Sequence, residues 1–440
     1  MQSLLILFAT GLLLLGGVIP SRAQTPSPAP TTSAPAAGSL DPAAATQAWL
    51  DTVPADKRAK SDAYFEGGYW LILWNFLLSA AIALLLLYSG VSARLRDFAE
   101  RTIRFRPVQV GIYAVSYVLL VILLAFPLDL YTGFFREHKY GLATQNLPAW
   151  LGDQAKSLMI AVILMPLLLM ALYGVFRRAP RTWWLWGTGV GVVFLVLGMM
   201  VAPVFIEPIF NTYKPLADPK ISAPILAMAA ANEIPVHQVF EVDASRQSNR
   251  VSANVAGIFG TARIALNDNL LKQCTLPEIR AVMAHEMGHY VLNHALKLVI
   301  YFGLFILVGF AVVNAVFDRC VQRWGTRWGV HGIADPAGLP LLSLIFSTYF
   351  FLLTPIQNTA VRVTEREADA FGINTAREAD GFAMVALKLG TYRKLNPGPW
   401  EEAIFFDHPS GRARIRMAMD WKAAHLPAGD AADPIRISSR

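Results

Sequence analysis

Apolar residues in this chain gather into long unbroken runs, separated by shorter stretches where charged and turn-forming residues collect. Six runs, at about 69–90, 108–131, 156–176, 183–204, 296–317 and 339–359, are long enough to cross a hydrocarbon core of roughly 30 Å, which takes about 20 residues of helix. They predict six membrane-spanning helices. A further apolar run at 1–20 leads into Ser21-Arg22-Ala23-Gln24 and resembles a secretory signal, although an uncleaved first transmembrane helix has the same pattern. From Gln24 to about Gln47 the chain is rich in Pro, Ala, Ser and Thr, which predicts an extended linker, bounded here at residue 60.

The polar segments sort themselves by parity. Those at 205–295 and 360–425 are separated by two crossings, so both lie on one side of the membrane and can build one domain together. Arginines cluster in the loops after the first span (Arg94, Arg96, Arg101, Arg104, Arg106), the third (Arg177, Arg178, Arg181) and the fifth (Arg319, Arg323, Arg327). The positive-inside rule makes those loops cytoplasmic and puts 205–295 and the C-terminal region outside, in agreement with a signal peptide. The expected division is 1–23 signal or first helix, 24–60 linker, 61–204 with four spans, 205–295 with the chemistry, 296–359 with two spans, 360–425 completing the domain, and 426–440 a tail.

Composition agrees with the bilayer. Of 440 residues 55% are hydrophobic and 16% charged, and the mean hydropathy of +0.42 is too high for a soluble chain of this length. The net charge of +7 does not point to nucleic acid, because the basic residues flank apolar runs instead of forming a stripe. The two cysteines, Cys274 and Cys320, build neither a disulfide framework nor a Cys-rich metal site.

The segment Leu276 to Tyr290 reads as a helix with Pro277 at its start and no internal breaker. His285 and His289, four apart, therefore share one face and can reach a tetrahedral zinc together, while Glu286 projects to the side, where it can take a proton from water activated by the metal. The bland alternative is a satisfied polar network between helices. A third protein ligand must come from the same side of the membrane. His294, on a continuing helix, points away from the His285–His289 face and reads as a supporting or structural residue. After the sixth span, Glu365 and Asp369 lie four apart on a predicted helix, with Glu365 a candidate ligand and Asp369 a candidate partner that orients a ligand histidine. The alternative is a solvated acidic-basic face in which Arg362, Arg366 and Glu367 form surface pairs.

This constellation resembles the type I CAAX prenyl endopeptidases and their bacterial relatives, in which a His-Glu-x-x-His helix is followed two spans later by Glu-x-x-Ala-Asp. The resemblance extends to Glu137-His138-Lys139-Tyr140-Gly141, Pro208-Ile209-Phe210-Asn211, and His408-Pro409-Ser410 with Arg414-Ile415, covering roughly residues 60 to 420. It implies a mainly α fold, a polytopic membrane helical barrel with a zincin-like metallopeptidase domain. It also implies one zinc ion per chain, an endopeptidase activity, and apolar or prenylated C-terminal peptides as substrates. It further implies that His408 and Arg414 stabilise substrate or oxyanion, and that the stretch Ser252-Ala253-Asn254 belongs to a strand that pairs with the peptide. That stretch, with Arg263 to Leu266, reads from its own residues as a hairpin with an exposed edge.

The expected protein is multi-pass, in a bacterial inner membrane, with its catalytic side periplasmic and no nucleic-acid partner. A bacterial signal and linker sit awkwardly with prenyl processing, which leaves a quality-control protease acting on misfolded membrane proteins or exported peptides as a second reading. A non-enzymatic, zinc-stabilised transporter or scaffold would use the same ligands without needing Glu286. An intramembrane protease is disfavoured because Glu278, Arg280, Asn293 and Lys297 flank the motif.

Overall fold

The computed structural model describes residues 40–256 and 262–425. Residues 1–39, which include the expected signal and most of the expected linker, lie outside the described residues, as do 257–261 and the tail from 426. In chain order the helices and strands are α1 (Pro42–Asp51), α2 (Ala55–Tyr88), α3 (Val91–Thr102), α4 (Arg106–Tyr140), α5 (Leu147–Arg178), α6 (Trp183–Phe210), β1 (Tyr213–Pro215), α7 (Pro219–Ala231), β2 (Val239–Val242), β3 (Ala253–Ala256), β4 (Arg263–Asn267), α8 (Asp268–Gln273), α9 (Leu276–Val291), α10 (His294–Trp328), α11 (Leu339–Ala376), α12 (Ala379–Leu389), α13 (Pro399–Phe405) and α14 (Gly411–His425). Two compact units result, one made of 69–210 and 298–357, the other of 40–68, 211–297 and 358–425.

Six helices are long and apolar enough to cross a membrane, as the runs of the sequence predict. At 28 to 41 residues they exceed the roughly 20 that a hydrocarbon core requires, so each carries polar turns beyond it. Their apolar windows are only 11% to 33% buried, and side chains such as Leu123, Phe205 and Leu352 are about two-thirds exposed or more. In water such a surface would be untenable, and in lipid it is the expected one. The first unit's core is built from Tyr113, Leu172, Tyr173, Phe176, Phe310 and Phe317 among others. Gly191 on α6 admits Ile306 to within 3.0 Å of where a Cβ would stand, the close approach that small residues give membrane helices.

The second unit carries a four-stranded sheet in the order β1-β2-β4-β3, with β2 and β4 parallel and the other pairs antiparallel. The expected hairpin is therefore present as β3 and β4, with Ala253 opposite Leu266 and Ala256 opposite Arg263, and β3 is the terminal strand. Ile225, Ile264, Leu266, Met283 and Met287 form the core between the sheet, α7 and α9. A separate core joins α1, α12 and α14, where Trp49, Leu50, Phe382, Ile415 and Met419 meet.

That second core corrects the linker reading. Residues from Pro42 onward are not extended: Asp41 accepts from the Ala43 amide, Pro42 starts the helix, and Trp49 and Leu50 are each 2% exposed. A capped start and one bulky apolar pair outweigh the composition around them.

Candidate active site

The site is organised around α9. Its first turn is closed by a capping box in which Thr275 and Glu278 exchange hydrogen bonds, with the Thr275 amide 2.7 Å from Glu278 Oε2. Glu278 also accepts from Lys388 of α12 at 2.6 Å. The start of the helix is thus fixed by two elements, which holds the downstream histidines in register.

On this helix His285 Nε2 and His289 Nε2 converge to 3.1 Å. Glu365 of α11 completes the group: its Oε2 lies 3.3 Å from His285 Nε2 and its Oε1 3.5 Å from His289 Nε2. One ligand atom from each of the three residues lies within 4.8 Å of the others, a two-nitrogen, one-oxygen donor set of the kind that leaves a fourth coordination position open. The meeting is possible because α9 and α11 touch backbone to backbone. A Cβ on Gly372 would fall 2.9 Å from the His285 amide nitrogen, and one on Gly288 would fall 3.2 Å from the Ala368 Cα.

The ligand candidates are themselves held. Asp369, fully buried, lies 2.8 Å from His285 Nδ1, so the other ring nitrogen is the one turned to the meeting point. Arg414 of α14 spans both acids, 2.9 Å from Asp369 and 3.2 Å from Glu365. His408 Nε2 stands 3.3 Å from Glu365 Oε2, with its Nδ1 2.8 Å from Asp407.

His294 differs from its expected direction. The helix does not continue through it: α9 ends at Val291, Asn293 adopts a left-handed φ of 54°, and α10 starts afresh at His294. The turn swings its ring back, with Nδ1 2.9 Å from His289 Nδ1 and Nε2 3.0 Å from Glu367. Glu367 also accepts from Lys297 at 2.5 Å, and Arg362 donates to the Glu402 carbonyl at 2.8 Å and to that of Phe406. The helical face carrying these residues is accordingly engaged in the fold and is not a set of surface pairs.

Burial and charge set the titration of α9. Burial disfavours the charged form of His285, but Asp369 and Glu365 outweigh it and push its pKa up to about 10. His289 goes the other way, down to about 4, through burial and the neighbouring His285 charge. Burial raises Glu286 to about 7.

A cavity of about 270 Å³ opens on this group, lined by His285, Glu286, His289, Glu365, His408 and Arg414. Ser252 and Ala253 reach its wall and Asn254 does not. Apolar side chains of α12, Phe382, Val385 and Leu389, supply another wall, beside Tyr392 and Arg393. Sequence reasoning missed these two, which carry no motif, and Asp407 and Glu367, whose adjacency to His408 and Glu365 was the available signal.

Fold and site together define a membrane-embedded metallopeptidase. The comparisons agree. Residues 215–422 match peptidase family M48, and residues 42–212 match the CAAX prenyl protease N-terminal region described as five membrane helices, of which four in that range are long and apolar enough among the described residues. An uncharacterized metalloprotease, YhfN, of Bacillus subtilis (strain 168) is 32% identical over 352 residues, spanning 78% of this chain and 82% of that protein. CAAX prenyl protease 1 of Saccharomyces cerevisiae is 28% identical over 67% of this chain and 68% of its own length. The crystal structure of S. mikatae Ste24p shares the fold with a TM-score of 0.69 at 22% identity, covering 86% of this chain and 94% of that one. The chain belongs to peptidase family M48: it is a multi-pass integral membrane metalloendopeptidase, and its substrates are peptides or proteins.

Proposed function

We propose that His285, His289 and Glu365 hold one zinc ion, and that Glu286 moves the protons of peptide hydrolysis. The observation that carries this is the convergence of those three ligand atoms within 4.8 Å beside Glu286 in one cavity. When bound, zinc supplies Lewis-acid activation of water and of the scissile carbonyl.

The chain's own residues do the rest. Glu286 takes the proton of the attacking water and returns it to the leaving amine, a task suited to a carboxylate that burial has made more basic. Asp369 and His294 fix the rings of His285 and His289 from behind. Arg414 is already committed to Glu365 and Asp369, which supports a positioning role; His408 is then the better candidate to donate to the oxyanion. An extended substrate adds to the open edge of β3 through main-chain hydrogen bonds at Ala253, since the Ser252 amide and carbonyl just before the strand are already engaged by Asn267; Asn254 follows on the same strand.

The apolar wall formed by Phe382, Val385 and Leu389 favours an apolar or prenylated C-terminal peptide, the class named in the yeast relative. The membrane is a bacterial inner membrane, with the catalytic side periplasmic. The test is hydrolysis of matched prenylated and unprenylated apolar peptides by the purified full chain, with zinc quantified before and after chelation. One zinc per chain, cleavage lost on chelation and regained with zinc, and a preference for the prenylated peptide are expected. Cleavage indifferent to chelation would remove zinc from the account, and equal cleavage of both peptides would favour misfolded membrane proteins as substrates.

A further inference from the structure

A second cavity, of about 470 Å³, takes no part in the chemistry above. It belongs to the first unit and forms where long helices begin or end: Arg106 opens α4, Arg177 is the penultimate residue of α5, and Pro336 leads into α11. Three arginines line it. Arg96 is fully engaged, 2.7 Å from both Asp97 and Asp335 and 2.9 Å from the Gly329 carbonyl, with Glu100 adding to its field. His331 is likewise taken up by Asp335 at 3.0 Å.

Arg106 and Arg177 are different. Among the described residues neither has a carboxylate within 4.0 Å, and Arg177 feels the charges of Arg106 and Arg178. The two carboxylates that also line the cavity, Glu100 and Asp335, both serve Arg96, so Arg106 and Arg177 have no ion pair of their own there, and an anion between them would relieve their repulsion. The start of α4 adds to the positive potential: this 25-residue α-helical stretch has no side-chain cap at Phe105, and Arg106 and Gln109 of its first turn line the cavity.

The rim indicates where the anion comes from. Phe98 is 57% and Phe105 64% exposed, with Ile103 exposed between them, and Arg94, Arg101 and Arg104 alternate with these apolar residues. An exposed aromatic face interleaved with arginines at the ends of spanning helices is the pattern of a segment lying at headgroup depth.

We infer that this cavity binds a phosphate-bearing anion between Arg106 and Arg177, presented by the headgroup of an acidic lipid. The test uses the full-length protein in detergent and native mass spectrometry, with dioctanoyl phosphatidylglycerol, dioctanoyl phosphatidylcholine and inorganic phosphate as separate probes. Wild type should retain phosphatidylglycerol over phosphatidylcholine, whose choline cancels the phosphate charge. Arg106→Gln with Arg177→Gln should weaken that retention about thirtyfold, the combined effect of two arginines at an anionic surface, and Arg106→Lys with Arg177→Lys should restore most of it. Unchanged peptide cleavage by the glutamine variant reports an intact fold. Should that variant not fold, Arg106→Gln alone, at an exposed position, carries the test with a smaller loss. Inorganic phosphate displacing the lipid and binding as tightly by itself would keep the site and make free phosphate its ligand. No preference in wild type, or the same preference in the glutamine variants, would overturn the proposal.

Discussion

At the scale of single residues the site depends on which protons are present. With His285 held near 10 by Asp369 and Glu365, and His289 depressed to about 4, the metal-free ligand pair at neutral pH carries its extra proton on His285 and not on His289. A ligand nitrogen must be free of its proton, so zinc binding at pH 7 should release about one proton, and the apparent affinity should fall as pH drops. The sign follows from the direction of the shift: a raised pKa means the proton is on the ring throughout the range below about 10. Calorimetry in buffers of differing ionisation enthalpy measures the count; release of no proton would contradict this assignment. The sequence made His285, His289, Glu286 and Glu365 legible because an i, i+4 pair on an unbroken helix restricts geometry to one face. It hid the direction of His294, which is set by a left-handed backbone at a non-glycine residue, Asn293. It also hid the engagement of Arg414, which needs an acid 45 residues away to be folded beside it.

At the scale of elements the contact between α9 and α11 sets the geometry of the three candidate ligands. Gly372 is tolerated there because a methyl group would meet the His285 backbone at 2.9 to 3.0 Å, and backbone cannot rotate away as a side chain would. Gly372→Ala should therefore separate the two helices and cost about 1–3 kcal/mol, lowering zinc affinity at least tenfold while the far-ultraviolet circular dichroism of the helices persists. A zinc titration checks it, and undiminished affinity would show that the helix contact does not set the ligand geometry. The capped start of α9 and the hairpin of β3 and β4 were readable from local residues. The parallel pairing of β2 with β4 was not, because it joins segments more than 20 residues apart and no turn chemistry encodes it. Helix α1 was missed for the opposite reason: its Pro- and Ala-rich surroundings overshadowed Asp41, Trp49 and Leu50, the three residues that matter.

At the scale of the whole molecule the six spanning helices were the most legible feature, since a bilayer demands long continuous apolar runs that nothing in a soluble fold requires. Parity then ties the segments around α9 and α14 to one side, and the arginine clusters propose that side as periplasmic. Alkaline phosphatase fused after His425 should be active and a fluorescent protein fused there dark; the reverse pattern would turn the topology over. Whatever the topology and the substrate, the role proposed for Glu286 is to transfer the protons without binding the metal. The measurement that tests it most directly is peptide cleavage and zinc content of Glu286→Gln beside wild type. The account predicts a full complement of zinc with cleavage reduced at least a hundredfold, the usual worth of a general base, whereas a variant that keeps both its zinc and its cleavage rate would contradict it.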